Sequence, residues 1–132
     1  MAVRRAAYQQ PTVGAERAVH YYPAGPVCRD FVASDAFICG ILGPIGSGKS
    51  TGAVMKLIRN MQKQRPGRDG WRRRRTAVIR NTYPELKTTT IKTWHQWVPA
   101  STGGWRDSGP PTHLLIDEMN KVHWEVMCVA LD

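Results

Sequence analysis

The sequence predicts an α/β fold built on a parallel sheet, and three features carry the prediction. A short, continuously apolar run, 36–42, ends in a glycine-rich loop that opens into a helical period. A second β-like run follows that helix, at 76–79. Farther on, two alternating stretches flank a polar turn, which is the pattern of a C-terminal β-hairpin. Strand, loop, helix, loop, strand is a βαβ unit, and its two strands run parallel.

Each element has a local reason. Residues 36–42 read Ala-Phe-Ile-Cys-Gly-Ile-Leu without a polar side chain, as a strand buried on both faces requires, and Gly43-Pro44 ends the run. Val54, Leu57, Ile58 and Met61 recur at i, i+3, i+4 and i+7, and Arg65-Pro66-Gly67 stops the pattern, which predicts a helix over 49–64. The polar, glycine-bearing and very basic segment 67–75 predicts a surface loop, and Thr76-Ala77-Val78-Ile79 the next strand. A second helix is predicted over 88–97, with a threonine at its start, Ile91, Trp94 and Val98 on one side, and Pro99 after it. Gly103-Gly104 and Gly109-Pro110-Pro111 break the chain into loops, and strands are predicted at 113–117 and 121–130. Val122, Trp124, Val126 and Cys128 share one face of the last strand; His123, Glu125, Met127 and Val129 share the other. Residues 1–35 form a lead-in arm without a convincing period, extended or turning at Tyr21-Tyr22-Pro23-Ala24-Gly25-Pro26.

Composition narrows the function. A length of 132 residues admits one compact domain, and 42% hydrophobic with 22% charged residues is a folded composition, made loop-rich by 12 Gly and 9 Pro. The 19 basic against 10 acidic side chains leave +9, a balance that favours polyanions such as nucleic acid or phosphorylated ligands. The excess is concentrated in residues 36–100, which hold 13 basic and 2 acidic side chains. Cys28, Cys39 and Cys128 are odd in number and lack metal-ligand spacing, which predicts free thiols in a reducing compartment and argues against a disulfide framework or a zinc site. No apolar run approaches the roughly 18 residues of a membrane span, so a soluble, cytoplasmic protein is expected.

Gly43, Pro44, Ile45, Gly46, Ser47, Gly48, Lys49 and Ser50 fit G-x-x-x-x-G-K-[ST] between a predicted strand and a predicted helix, the context that makes this pattern a P-loop. Glycines at 46 and 48 let backbone N–H groups turn inward and let phosphate oxygens approach closely. Lys49 brings charge to the β- and γ-phosphates of ATP and is the candidate catalytic residue. The hydroxyl of Ser50 suits Mg²⁺, and Thr51 suits the α-phosphate. Hydrolysis also needs an acid in the Mg²⁺ shell, and Leu114-Leu115-Ile116-Asp117-Glu118 admits two readings, a Walker B strand or the entry to a polar hairpin turn. Arg72–Arg75 fits a DNA-phosphate contact or a solvated loop. Arg80 fits the site at the C-terminal edge of the sheet, or a loop anchor. Trp71, Trp94, Trp97, Trp105 and Trp124 are expected as core or loop anchors and not as base-stacking groups.

From Phe37 through Pro99 the chain resembles the ATPase domain of bacteriophage terminase large subunits, the motors that package DNA into procapsids. The resemblance lies in Gly43 to Thr51, in Arg80-Asn81-Thr82-Tyr83-Pro84-Glu85-Leu86 with Thr88 to Trp94 behind it, in Val129-Ala130-Leu131-Asp132, and in the lead-in from Pro23 to Asp35. It implies a RecA-like P-loop NTPase core over 36–132, present only in its N-terminal part, with ATP hydrolysis in the parent protein driving translocation of double-stranded DNA. It also implies a homo-oligomeric motor in the host cytoplasm, working with a small subunit and a portal protein and without a membrane. In that family the Walker B strand, a coupling motif and a nuclease domain follow the Ala-Leu-Asp block. The chain is therefore expected to be a fragment that binds ATP without efficient hydrolysis, with Asp117 and Glu118 in a hairpin. Competing readings are a small P-loop kinase with an arginine-rich lid and a nucleotide- or DNA-binding remnant without turnover.

Overall fold

A computed structural model of the protein describes residues 7–12 and 15–132, with side chains from His20 onward; the remainder of the predicted lead-in lies outside the described residues. The chain divides into two compact units, Met1–Lys56 and Leu57–Asp132.

In the first unit, β1 (Ala7–Thr12) and β2 (Ala15–Val19) pair antiparallel. Helix α1 (Pro26–Ala33) follows, started by a proline whose fixed φ suits the first turn. Helix α2 (Lys49–Gln62) begins in this unit, and α1 lies against its first half. Gly52 permits the approach: a Cβ there would stand 3.9 Å from Phe31 Cδ1 and 4.0 Å from Val32 Cγ2. Lys56 completes the contact by donating to the carbonyls of Phe31 (2.7 Å) and Ser34 (2.6 Å), while its ammonium stands 5.1 Å from the Phe31 ring centroid. A cation on the last carbonyls of α1 satisfies acceptors that no helical N–H reaches.

The strand predicted at 36–42 is not formed. These residues are irregular, and Phe37 (102%), Ile38 (83%) and Leu42 (95%) are exposed. An apolar run becomes a strand only when a neighbouring ladder takes up its N–H and C=O groups, and among the described residues no strand pairs with 36–42.

The second unit is a four-stranded mixed sheet in the order β3-β6-β5-β4, made of β3 (Arg72–Arg80), β4 (Gly104–Arg106), β5 (Thr112–Asp117) and β6 (Val122–Ala130). Only β3 and β6 run parallel, from Arg72↔Val122 to Arg80↔Ala130; β5 pairs antiparallel with both β4 and β6. The mixed α/β class and the C-terminal hairpin are as expected, but the sheet is mixed, with only the β3–β6 pair parallel. The C-terminal hairpin forms where the alternation placed it. Strand β3 starts at Arg72, so the arginine run is strand and not loop.

The helix expected at 88–97 begins earlier, as α3 (Tyr83–Glu85), and continues through a π-helical turn (Leu86–Ile91) into α4 (Lys92–Trp97). Thr82 caps it by accepting from Glu85 N, and Asp132 accepts from Tyr83 N at 3.2 Å. Thr88, Thr89 and Thr93 turn their hydroxyls back onto the carbonyls four residues earlier, a bonding pattern that competes with the regular ladder and bends helices.

This helix covers the sheet face that carries Trp124, Val126 and Cys128. Leu86, Ile91 and Cys128 are buried together, with Val78, Trp105 and Ala130 against them. Burial pushes the Cys128 thiol up to about 11, so it stays protonated. Trp94 meets Trp124 edge-to-face at 5.5 Å, a geometry worth about 0.5–1.5 kcal/mol beyond area burial. Trp94 Nε1 also donates to His113 Nδ1 at 2.8 Å, and His113 Nε2 donates to the Thr102 carbonyl. Those two bonds fix the neutral Nε2–H tautomer of a fully buried imidazole.

Burial above all, with His95 adding repulsion, holds His113 below its ordinary pKa of 6.5 against an opposing pull from the Thr102 carbonyl. The folded state therefore binds this proton less readily than the unfolded chain. Its contribution is complete above about pH 6.5 and is lost as pH falls through the lower folded value. Thermal midpoints should decline from pH 7 to pH 5, while imidazole NMR keeps the Nε2–H tautomer below pH 6.5; titration of His113 at or above 6.5 would contradict this. Gly103 has φ +75°, and a Cβ there would lie 2.5 Å from the Leu114 carbonyl oxygen. Gly103→Ala should therefore cost about 2–3 kcal/mol in chemical denaturation, and a loss below 0.5 kcal/mol would refute the strain.

Candidate phosphate-binding loop

The loop from Gly43 to Gly48 turns through two left-handed glycines, Gly46 (φ +80°) and Gly48 (φ +84°), and enters α2 at Lys49. Ser47 N donates to the Pro44 carbonyl at 3.3 Å, and Gly52 N to the Gly48 carbonyl at 2.9 Å, so the helical ladder starts at the last loop residue. The first turn of α2 contains no acidic side chain, so the helix adds no negative charge of its own at the positive end of its dipole. A Cβ on Gly43 would come within 2.9 Å of Ser47 Oγ, so the loop is closed by a residue without a side chain at its entrance.

Lys49 folds back over the loop. Its ammonium donates to the carbonyls of Gly43 and Pro44 (2.6 Å) and to Ser47 Oγ (3.3 Å). Ser50 is exposed and Thr51 half-buried in the first turn of the helix, while Pro44 and Ile45 lie on the outside of the loop. All nine residues expected to hold the nucleotide are thus contiguous around one helix N-terminus.

The back wall of the loop comes from α1 and the residue pair ahead of it, within the segment expected only as a lead-in arm. Ala24 Cβ stands 3.0 Å from the place where a Gly48 Cβ would be, and Cys28 Sγ 3.9 Å from it. Cys28, 5% exposed, donates its S–H to the Ser47 carbonyl at 3.5 Å. Burial, and after it the neighbouring Cys28, raises the Tyr21 hydroxyl above its ordinary pKa. The available signal was Gly25-Pro26 ahead of Val27, Cys28, Phe31 and Val32, a helix start followed by an apolar stripe.

The remaining candidates belong to the second unit. Asp117 closes β5, and both of its carboxylate oxygens are taken by Asn120, Oδ1 from the backbone N (3.1 Å) and Oδ2 from Nδ2 (2.7 Å). The Asn120 side chain first, then its backbone, holds the Asp117 carboxyl below the usual carboxylate range. Glu118 is exposed in the same turn, where Lys121 takes φ +54°. Of the arginine run, Arg72 donates to the Gln64 carbonyl (3.0 Å), and Arg74 to the Asn60 carbonyl (3.3 Å) and Gln64 Oε1 (3.1 Å). Arg73 forks onto Asp69, whose carboxyl falls to about 2, and Arg75 pairs with Glu125 at 3.0 Å. Arg80 donates to Thr89 Oγ1 at 3.4 Å. Trp94 and Trp124 are core residues, and Trp71 lies beneath the Arg73 guanidinium at 5.9 Å.

Cys28, Cys39 and Cys128 are free thiols. Among the described residues no cluster of three or more His, Cys, Asp or Glu could hold a metal ion, and no helix is long and apolar enough to cross a membrane. Comparison of the chain with protein-family models, with curated proteins and with solved structures gives no match.

Proposed function

We propose that residues 43–51 bind Mg²⁺ and ATP, and that the chain is a nucleotide-binding portion of a P-loop NTPase of the terminase large-subunit type. The observation that carries the reading is one contiguous segment. A G-x-x-x-x-G-K-S sequence leads into a helix N-terminus, with Gly46 and Gly48 both left-handed and Lys49 at the first helical position. Backbone N–H groups of the loop and the first turn of α2 would receive the phosphates, Lys49 their charge, Ser50 the magnesium, and Thr51 the α-phosphate. The acceptors now holding Lys49 are two neutral carbonyls and a hydroxyl. A phosphate oxygen carries full charge and makes the stronger bond to an ammonium, which favours exchange of these partners for the ligand. In the wider reading ATP hydrolysis by the parent protein powers packaging of double-stranded DNA, with the small subunit and portal as partners. That part rests on the resemblance of Arg80 to Trp94 and of Val129 to Asp132 to that family.

Lys49→Ala should weaken Mg·ATP binding at least about tenfold in calorimetry, because one charge-assisted bond is worth about 1.5–3 kcal/mol. Equal affinity in the two proteins, or no binding by the parent chain, rejects the proposal. Asp117→Ala separates the two readings of the acidic pair. With both oxygens engaged in the turn, its loss should lower the thermal midpoint by a few degrees and leave ATP affinity within about twofold. A large loss of Mg²⁺-dependent binding at unchanged stability would instead return Asp117 to the magnesium shell.

A further inference from the structure

The thiol of Cys28 points at one particular peptide of the loop. Its S–H reaches the carbonyl oxygen of Ser47, the peptide that joins Ser47 to Gly48. That peptide is trans, so its C=O and N–H point in opposite directions. With the oxygen held toward α1, the Gly48 N–H is aimed away from α1. Gly48, at φ +84° and without a Cβ, is the residue about which such a peptide turns over most easily, and its neighbour Gly46 is equally unrestrained. Ser47 is gripped on its other side as well, through the bond from Lys49 to its Oγ. That grip comes from Lys49, the group that binding of phosphate would draw away.

We infer that Cys28 is a positioning residue for the phosphate loop: by holding the Ser47 carbonyl it fixes the orientation of the Ser47–Gly48 peptide, so that the Gly48 N–H is presented to an incoming phosphate. The inference rests on the nucleotide-binding reading of residues 43–51 and goes beyond it, since Cys28 lies on α1, outside the glycine-rich pattern, and touches no ligand itself. Three contacts support it together. The S–H donates to the Ser47 carbonyl, Sγ lies 3.9 Å from the absent Gly48 Cβ, and Ala24 Cβ closes the same side at 3.0 Å. When Lys49 leaves its carbonyl partners for a ligand, the Cys28 bond is the anchor of this peptide that remains in place.

The test uses the full chain and three variants: Cys28→Ala, Cys28→Ser, and Cys28→Val, which keeps the volume without the donor and serves if the alanine protein does not fold. Removing a weak S–H donor should reduce Mg·ATP affinity about fivefold in Cys28→Ala or Cys28→Val. Cys28→Ser, which retains a hydrogen on the side chain, should stay within about twofold of the parent. In the nucleotide-free proteins the amide resonance of Gly48 should move in the alanine or valine variant and return toward its original position in the serine variant. Parent-like affinity and an unmoved Gly48 amide in the variants without a donor would overturn the inference, as would equal losses in alanine and serine, which indicate packing alone. If the parent chain itself fails to bind Mg·ATP, the reading of residues 43–51 falls. The Gly48 amide then decides by itself whether Cys28 sets this peptide.

Discussion

The parallel pairing of β3 with β6 over nine residues is the constraint from which the unit Leu57–Asp132 follows. Two parallel neighbours cannot be joined by a tight turn, so the chain leaving β3 has to cross a face of the sheet before it returns. It crosses as the helix from Tyr83 to Trp97, which lays Leu86, Ile91 and Trp94 over the face carrying Trp124, Val126 and Cys128. It returns through β4 and β5, whose antiparallel ladder delivers the chain into β6 in the required direction. The ends of the two parallel strands then meet. Leu131 N donates to the Arg80 carbonyl, and one residue later the Asp132 carboxylate receives Tyr83 N at the start of the crossover helix. A negative group at a helix N-terminus is stabilising in its own right, so the register that ends β6 also fixes where the helix begins. Within this frame His113 is the polar centre, bonded on one side to the helix through Trp94 and on the other to the loop carbonyl of Thr102.

The glycine-rich loop 43–48 obeys a different constraint, the surplus of donors at a helix N-terminus. Left-handed glycines at 46 and 48 shape the turn, the N-terminus of α2 contributes its dipole, and Lys49 at its first position adds a full charge. Positive groups gathered this way repel one another unless acceptors are supplied. The loop supplies its own in the carbonyls of Gly43 and Pro44 and the hydroxyl of Ser47, all gathered onto one ammonium. Those acceptors are uncharged, so the cationic character of the segment is distributed and not cancelled. Under the nucleotide-binding reading proposed above, a charged phosphate oxygen would be a stronger partner for Lys49 than these neutral acceptors.

Sequence made some of this legible because the signals were local. The loop pattern, the period that starts α2 and the alternation of β5 and β6 each depend on residues a few positions apart, and each element lies near its expected place. What failed was pairing. Residues 36–42 have the composition of a buried strand, but composition cannot say whether a neighbour offers a ladder, and Phe37, Ile38 and Leu42 stand exposed without one. Arg72–Arg75 failed for the converse reason: four charges in a row suggest a solvated loop, and only the parallel pairing with β6 makes them strand. The crossover helix starts at Tyr83, ahead of its expected start at 88, because Thr82 caps it and Pro84 is well accommodated in a first turn. Cys28 and Ala24 were missed because nothing in a one-dimensional pattern links α1 to a loop some twenty residues later.

The location of the positive charge refines what the +9 balance means. Alternation along β3 sends Arg72 and Arg74 to one side, where Arg74 takes the carbonyl of Asn60 in the last turn of α2, the end at which a helix favours cations, and Arg72 that of Gln64 just past it. It sends Arg73 and Arg75 to the other, where Asp69 and Glu125 meet them. Any polyanion approaching this run would have to compete with a forked carboxylate at Arg73 and with backbone carbonyls at Arg72 and Arg74. The exposed pairs are individually weak and screened by salt, so Arg73 and Arg75 remain exchangeable, whereas the inner pair is committed to the fold. Half of the most conspicuous basic run in the sequence thus does structural work on α2. An attraction for nucleic acid through this strand would be carried by its outer arginines, on the face opposite to the crossover helix.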